Sequence, residues 1–254
     1  MKNYLMTTCQ ALTLMTISCG SVRDPESSLL ISNGTLVTAS EPASKSTVMI
    51  QSALGKCTGV LIHPEFVLTA AHCKAGVGLS TVYPYNGSVR VTNAGVGVIG
   101  VALPSGVSAA KNDYLDDANV FADMAVLRLA KPLTLFQPVD IYTGEVASGF
   151  SALAVGAGRH NNDPAQAQTL QEKKVSVATN KAKKGFVFVQ GEVTNPGDSG
   201  GPLYAPLSNP ERLELIGIVH GREGHPVYWS VTRYTNVSTH AAWIQQAMKN
   251  LQGS

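Results

Sequence analysis

Short apolar runs separated by glycine, proline, asparagine and serine dominate the chain, and helical spacing of apolar residues is almost absent. In the first half, Thr47-Val48-Met49-Ile50-Gln51, Gly59-Val60-Leu61-Ile62 and Phe66-Val67-Leu68-Thr69 read as strands. Ser88-Val89-Arg90-Val91-Thr92 and Met124-Ala125-Val126-Leu127-Arg128-Leu129 read the same way. The second half continues with Ala152-Leu153-Ala154-Val155, Lys174-Val175-Ser176-Val177, Gly185-Phe186-Val187-Phe188-Val189 and Leu215-Ile216-Gly217-Ile218-Val219. Asn86-Gly87 lies between β-prone runs and predicts a hairpin, because these residues accept the positive φ of a tight turn. Only the stretch from Thr239 to Met248 has helical periodicity, with Ser238 or Thr239 expected as its N-cap. Many short strands without crossover helices predict an all-β fold, sandwich or barrel, with one C-terminal α-helix. No internal sequence repeat is visible.

Composition supports this class. Hydrophobic residues make up 44% of the 254 positions and charged ones 14%, with 24 glycines and 13 prolines. That balance excludes a disordered or coiled-coil chain, and the length suffices for one large domain or two small barrels sharing an interface. The net charge is +2, with no long run of either sign. Nucleic acid as a partner is excluded, since its phosphates demand a concentrated basic face.

Residues 1–19 are expected to be an export signal. Lys2 supplies the positive end, and the apolar stretch from Leu5 to Ile17 is diluted by Thr7, Thr8, Cys9 and Gln10. It is too short and too polar to span a bilayer permanently. Thr16-Ile17-Ser18-Cys19-Gly20 resembles a bacterial lipoprotein processing box, with Thr16 where leucine is usual. That resemblance implies a lipidated Cys19 as the only tie to a membrane; ordinary signal cleavage between Ser18 and Ser21 is the alternative. Residues 20–30 read as a propeptide or connector and residues 31–254 as the folded domain. The expected location is secreted, periplasmic or lipid-anchored.

Within that domain the cysteines are Cys57 and Cys73, which enclose fifteen residues. In an exported chain such a pair predicts a disulfide. A zinc site is excluded, because the nearby His63 and His72 come without a second spaced cysteine pair.

Three segments carry candidate chemistry. A serine hydroxyl is a poor nucleophile and needs a base, an orienting carboxylate and donors for the oxyanion. Gly197-Asp198-Ser199-Gly200-Gly201-Pro202 sets a serine among glycines that allow a tight turn with converging N–H groups, those of Gly197 and Ser199 being the candidate donors. Leu68-Thr69-Ala70-Ala71-His72-Cys73 ends a strand with a histidine beside the expected disulfide. Ala122-Asp123-Met124-Ala125-Val126-Leu127 places an acid at the head of an apolar strand. The serine segment also fits the elbow of α/β-hydrolases, but there the serine precedes the acid and the histidine. Here His72 and Asp123 come first.

These segments resemble the histidine, aspartate and serine motifs of the trypsin/chymotrypsin-like serine proteases. Val155-Gly156-Ala157-Gly158 and Tyr234-Thr235-Asn236-Val237 extend the likeness across roughly residues 31 to 248. The resemblance implies two antiparallel six-stranded β-barrels with a C-terminal α-helix, and a site in the cleft between them. It also implies a serine endopeptidase acting through an acyl-enzyme, with His72 as base, Asp123 as its orienting partner and Ser199 as nucleophile. The expected partners are protein or peptide substrates and an activating protease, with monomeric operation and no cofactor or metal. The alternative kept open is a protease-like binding protein that lost turnover.

Two finer expectations come from the same likeness. Ile31-Ser32-Asn33-Gly34 resembles the mature start of the family, 26 residues before Cys57 and 41 before His72. Cleavage after Leu30 would free an ammonium to pair with Asp198, making the chain a zymogen. The specificity pocket departs from trypsin: Val193 replaces the charge-setting residue, Asn195 and Pro196 remove the pocket disulfide, and Val219-His220-Gly221 replaces the usual wall. Either Thr194, His220 and Arg222 bind an acidic side chain, or Val193 lines a small apolar pocket with His220 facing elsewhere. No calcium site is expected between His72 and Arg90.

Overall fold

The computed structural model describes residue 31 and residues 34–158, 169–178, 185–191, 193–206, 212–223 and 231–253. The export segment, Cys19 and the propeptide lie outside the described residues. Six strands close a first barrel: β1 (Thr47–Ser52), β2 (Gly55–His63), β3 (Phe66–Thr69), β4 (Ser80–Asn86), β5 (Val96–Ala102) and β6 (Ala125–Leu129). They pair antiparallel in the order β1-β2-β3-β6-β5-β4, and β4 returns to β1. A second barrel is built from β7 (Ser151–Gly156), β8 (Gln171–Ala178), β9 (Phe186–Gln190), β10 (Pro202–Pro206), β11 (Leu213–Glu223) and β12 (Val231–Asn236). Its order is β7-β8-β9-β12-β11-β10, closing back on β7. The two barrels therefore repeat one strand order, although no repeat is legible in the sequence.

Double burial explains the unbroken apolar runs. In Phe66-Val67-Leu68, Val67 points into the first barrel beside Val48, Ile50, Leu61 and Leu127. Phe66 and Leu68 point outward, yet they are buried against Tyr204, Leu215 and Ile218 of the second barrel. A strand covered on both faces loses the alternation that one solvated face would impose. Where one face is wet the alternation returns: on β5, Val98 is buried while Ile99 is 49% exposed.

Four strands escape the apolar pattern. β4 carries Pro84, β5 carries Gly97 and Gly100, β10 is bracketed by Pro202 and Pro206, and β12 is polar at Thr232, Arg233 and Asn236. Barrel closure supplies the pairing that local sequence does not advertise. The strand expected over residues 88–92 shortens to Val89–Arg90, followed by a 3-10 turn at Thr92–Ala94. The hairpin before it forms as predicted, with Gly87 at φ +62°.

Tertiary ties lock the barrels together. Thr35–Leu36 pairs with Glu172 and Gln171 of β8, so the chain crosses the second barrel before it builds the first. The buried Tyr204 hydroxyl is hydrogen-bonded to Ser46 Oγ at 2.8 Å and Thr47 Oγ1 at 3.1 Å across the interface. The C-terminal helix spans Ala241–Gln252 and buries Ile244 and Ala247 in the shared core. Its start differs from expectation: a 3-10 turn, Ser238–His240, precedes it, and His240 occupies the N-cap with its ring bonded to Thr239 and Asp116 rather than to the helix N–H groups. Asn236 Oδ1 accepts the Ser238 N–H at 3.1 Å, a local bond that fixes the entry to the 3-10 turn.

Candidate active site

Each motif residue sits where a strand ends at the junction of the barrels. β3 stops at Thr69, and a 3-10 turn, Ala71–Cys73, presents His72. Lys74 closes this turn in the left-handed region, at φ 49°. The Cys57–Cys73 disulfide staples the turn to β2. Asp123 lies two residues before β6 and is fully buried. Thr235 Oγ1 of β12 donates to the Asp123 carbonyl at 3.2 Å, so the second barrel holds an acid carried by the first.

His72 and Asp123 meet directly. His72 Nδ1 lies 2.6 Å from Asp123 Oδ2, and the His72 N–H donates to Oδ1 at 3.0 Å. Burial pushes the Asp123 carboxyl upward, but hydrogen bonds from His220 and His72, with their charge interactions, outweigh it and hold it at about 2. An ionised carboxylate can only accept, so the proton of each contacting imidazole nitrogen belongs to the histidine. Nδ1–H thus faces Asp123, and Nε2 of a neutral His72 keeps the lone pair a general base requires.

Ser199 reaches this neighbourhood through its backbone. The Thr58 N–H donates to the Ser199 carbonyl at 2.9 Å, and Thr58 Oγ1 donates to the Gly197 carbonyl at 2.9 Å. Cys73 Sγ stands 3.7 Å from the same Ser199 carbonyl oxygen. Gly200 makes the approach possible: it sits at φ +76°, and a Cβ there would lie 2.2 Å from Thr69 Oγ1. Gly197 also requires its residue type, at φ +104°. Within the turn the N–H groups of Asp198, Gly200 and Gly201 donate to the carbonyls of Asn195, Val219 and Asp198. Those of Gly197 and Ser199 have no protein acceptor among the described residues.

Asp198 is enclosed completely. Its Oδ1 accepts the Gly158 N–H at 2.6 Å and its Oδ2 the Asn195 N–H at 2.7 Å. Burial raises its carboxyl to about 6, against the opposing pull of those two N–H groups and of Arg222. Gly156 and Gly158 form the cradle, since a Cβ on either would strike the carboxylate. The Gly-Ala-Gly string noted in the sequence is thereby explained. The Ile31 side chain is buried in the second-barrel core with Val193, Val219 and Tyr234.

The expected specificity residues disperse. Val193 is packed in that core, with its N–H bonded to Thr232 Oγ1 at 3.1 Å, and Thr194 is buried beside it. Arg222 Nη2 donates to Asn195 Oδ1 at 3.1 Å. His220 turns away from both, placing Nδ1 2.5 Å from Asp123 Oδ2. It is the extra residue of a β-bulge in β11, where Val219 pairs with Tyr234 and Gly221 with Arg233. His72, Asp123 and His220 form the one cluster of three potential metal ligands among the described residues. Contacts of 2.5 and 2.6 Å are hydrogen bonds with no space for an ion, whose tetrahedral ligands would stand about 3.3 Å apart.

Sequence reasoning missed Thr58 and Thr235, whose hydroxyls join the site across the barrels, Thr69, whose hydroxyl donates to the Thr58 carbonyl within the first barrel, and the aromatic wall around His220. Tyr114 meets His72 edge-on at 6.4 Å, and Phe121 stacks on Phe186 at 4.0 Å. Threonines in strands carry no local signal of such roles, although Thr69 and Thr235 lie inside the motif segments around His72 and Tyr234.

A family model described as Trypsin matches residues 35–244. The chain is 28% identical over 221 residues to an uncharacterized peptidase of Corynebacterium glutamicum (strain R), covering 84% of this chain and 72% of that protein. It is 28% identical over 211 residues to Serine protease SP24D of Anopheles gambiae, covering 76% and 72%. Phenoloxidase-activating factor 3 of Holotrichia diomphalia is 27% identical over 233 residues, covering 76% of this chain and 64% of that protein.

Proposed function

We propose a specific activity for this chain, which belongs to the trypsin family: it is an exported serine endopeptidase that cleaves protein or peptide substrates through an acyl-enzyme on Ser199. The observation that carries the reading is the 2.6 Å bond between His72 Nδ1 and buried Asp123, formed where the Ser199 backbone docks on Thr58 and Cys73. His72 Nε2 takes the Ser199 hydroxyl proton as Oγ attacks the scissile carbonyl. It returns that proton to the leaving amine, while Asp123 stays ionised throughout. The Gly197 and Ser199 N–H groups, which have no protein acceptor among the described residues, serve the tetrahedral oxyanion.

The chain is made as a zymogen in this reading. Asp198 is a buried carboxylate bonded to backbone N–H dipoles, and cleavage after Leu30 would bring it the ammonium of Ile31. An ion pair of this kind stabilises the turn because an unpaired buried charge is costly. The dispersal of Thr194, His220 and Arg222 supports a small apolar or neutral P1 residue over an acidic one.

Peptide-library cleavage by wild type beside Ser199→Ala tests the activity, together with phosphonofluoridate labelling of the processed chain. Hydrolysis and stoichiometric labelling that vanish in Ser199→Ala are expected; their absence in wild type would leave a binding protein of the same fold. Sequencing the N-terminus of active enzyme tests processing: a start well before Ile31 sinks the zymogen reading.

A further inference from the structure

Asp123 serves two imidazoles. Its Oδ2 receives Nδ1 of His72 at 2.6 Å and Nδ1 of His220 at 2.5 Å, while Oδ1 receives the His72 backbone N–H. The two rings stand nearly perpendicular, with centroids 5.7 Å apart. His220 comes from the second barrel and His72 from the first, so the carboxylate is gripped from both sides of the cleft. The His220 ring is itself fixed. Phe121 lies edge-to-face at 4.8 Å, Tyr114 at 5.8 Å and Phe186 at 6.5 Å, and the side chain is 17% exposed. A bulge in β11 puts the residue there; regular pairing would have turned position 220 differently relative to its neighbours.

We propose that His220 is a positioning residue for the Ser199 reaction: its Nδ1–H pins the Asp123 carboxylate so that Oδ2 stays in line with Nδ1 of His72. This rests on the endopeptidase reading. Without His220, both side-chain oxygens of Asp123 are held by His72 alone, so the carboxylate and the imidazole can shift together. A second donor on the same oxygen, arriving from another direction, removes that freedom. The proton inventory is simple. The Ser199 hydroxyl proton moves to Nε2 of His72 and then to the leaving group; Nδ1–H stays on each histidine, and His220 neither gains nor loses a proton. Its contribution is geometric, and misplacement of a catalytic group by about 1 Å can cost on the order of 100-fold in rate.

The test compares His220→Leu, which keeps bulk without a donor, with His220→Asn, whose amide nitrogen can occupy the Nδ1 position. In the processed enzyme, His220→Leu is expected to lower kcat by about 10-fold to 100-fold with KM little changed, and His220→Asn to restore most of it. Low-field proton spectra of the wild type should show two carboxylate-bound Nδ1–H signals, one lost in each His220 variant and the other lost in His72→Ala. Wild-type kcat in His220→Leu overturns the proposal. So does an equal loss in the leucine and asparagine variants, which would indicate packing alone. Should neither variant fold, a single low-field signal in the wild type, abolished by His72→Ala, overturns it. A wild type that neither hydrolyses peptides nor labels at Ser199 refutes the endopeptidase reading, and the count of signals still judges the His220 contact.

Discussion

The α-carbon of Gly156 faces the carboxylate of Asp198 so closely that a methyl group there would stand 2.2 Å from Oδ1. Asp198 cannot retreat, because it is fully buried and both its oxygens are bonded to backbone N–H groups. Gly156→Ala is therefore expected to cost about 3 kcal/mol of stability, the upper end for overpacking a closed site. Gly97→Ala, in a position with nothing within 4 Å of the new Cβ, should change stability by no more than about 0.5 kcal/mol. Denaturant unfolding of both variants in a Ser199→Ala background checks this without self-digestion.

Asp198 also predicts a pH dependence. Its folded carboxyl sits at about 6 against an ordinary 3.8, so the folded unprocessed chain holds a proton that the unfolded chain has released. Stability contributed by this group is present below pH 4 and is lost as pH rises to about 6, amounting to about 3 kcal/mol. Glu172, pushed up to about 7 by burial and then by Glu41, adds a slope of the same sign. The difference between parent and Asp198→Asn isolates the Asp198 share. After cleavage at Leu30 a new ammonium partner should pull this carboxyl down and abolish the fall. Urea unfolding from pH 4 to 7, before and after processing, reads both outcomes.

Asp123 behaves in the opposite sense. Its carboxyl is held down at about 2, so its stabilising contribution is present above pH 3.8 and disappears as pH falls towards 2. Asp123→Asn should flatten that part of the acid-unfolding curve and remove activity at every pH. A parent and variant that unfold in parallel below pH 4 would contradict the geometry around Oδ2.

The Cys57–Cys73 bridge closes a loop with a sequence separation of 16. Replacing both cysteines by alanine should lower stability by about 3 kcal/mol in the chain-entropy treatment. Activity should fall further than stability explains, since Cys73 adjoins His72 and lies against the Ser199 carbonyl. Thermal melts and kcat measured on the same preparation separate the two effects.

Much of this architecture is written locally. The runs around Val48, Val60, Leu68 and Val126 announce strands because β-branched and apolar residues crowd into four or five positions between turn residues. The glycines beside Ser199 announce a turn that only their backbone freedom permits. The order of His72, Asp123 and Ser199 separates this site from an α/β-hydrolase elbow. β4, β5, β10 and β12 stay hidden, because a strand carrying proline, glycine or polar residues becomes a strand only when a neighbour closes a barrel around it. Their absence from the pattern also conceals that both barrels share one strand order.

The fold class, the cysteine pair and the three candidate reactive residues could be read along the chain, because each depends on residue type at short range. Which groups surround them was settled by packing. Thr58 and Thr235 brace the site from opposite barrels, a distinction invisible along the chain. His220, which sequence reasoning offered either as a ligand for a substrate side chain or as a residue facing elsewhere, faces Asp123, because one extra residue in β11 turns it there. A bulge is a property of two paired strands, so only the pairing could reveal it.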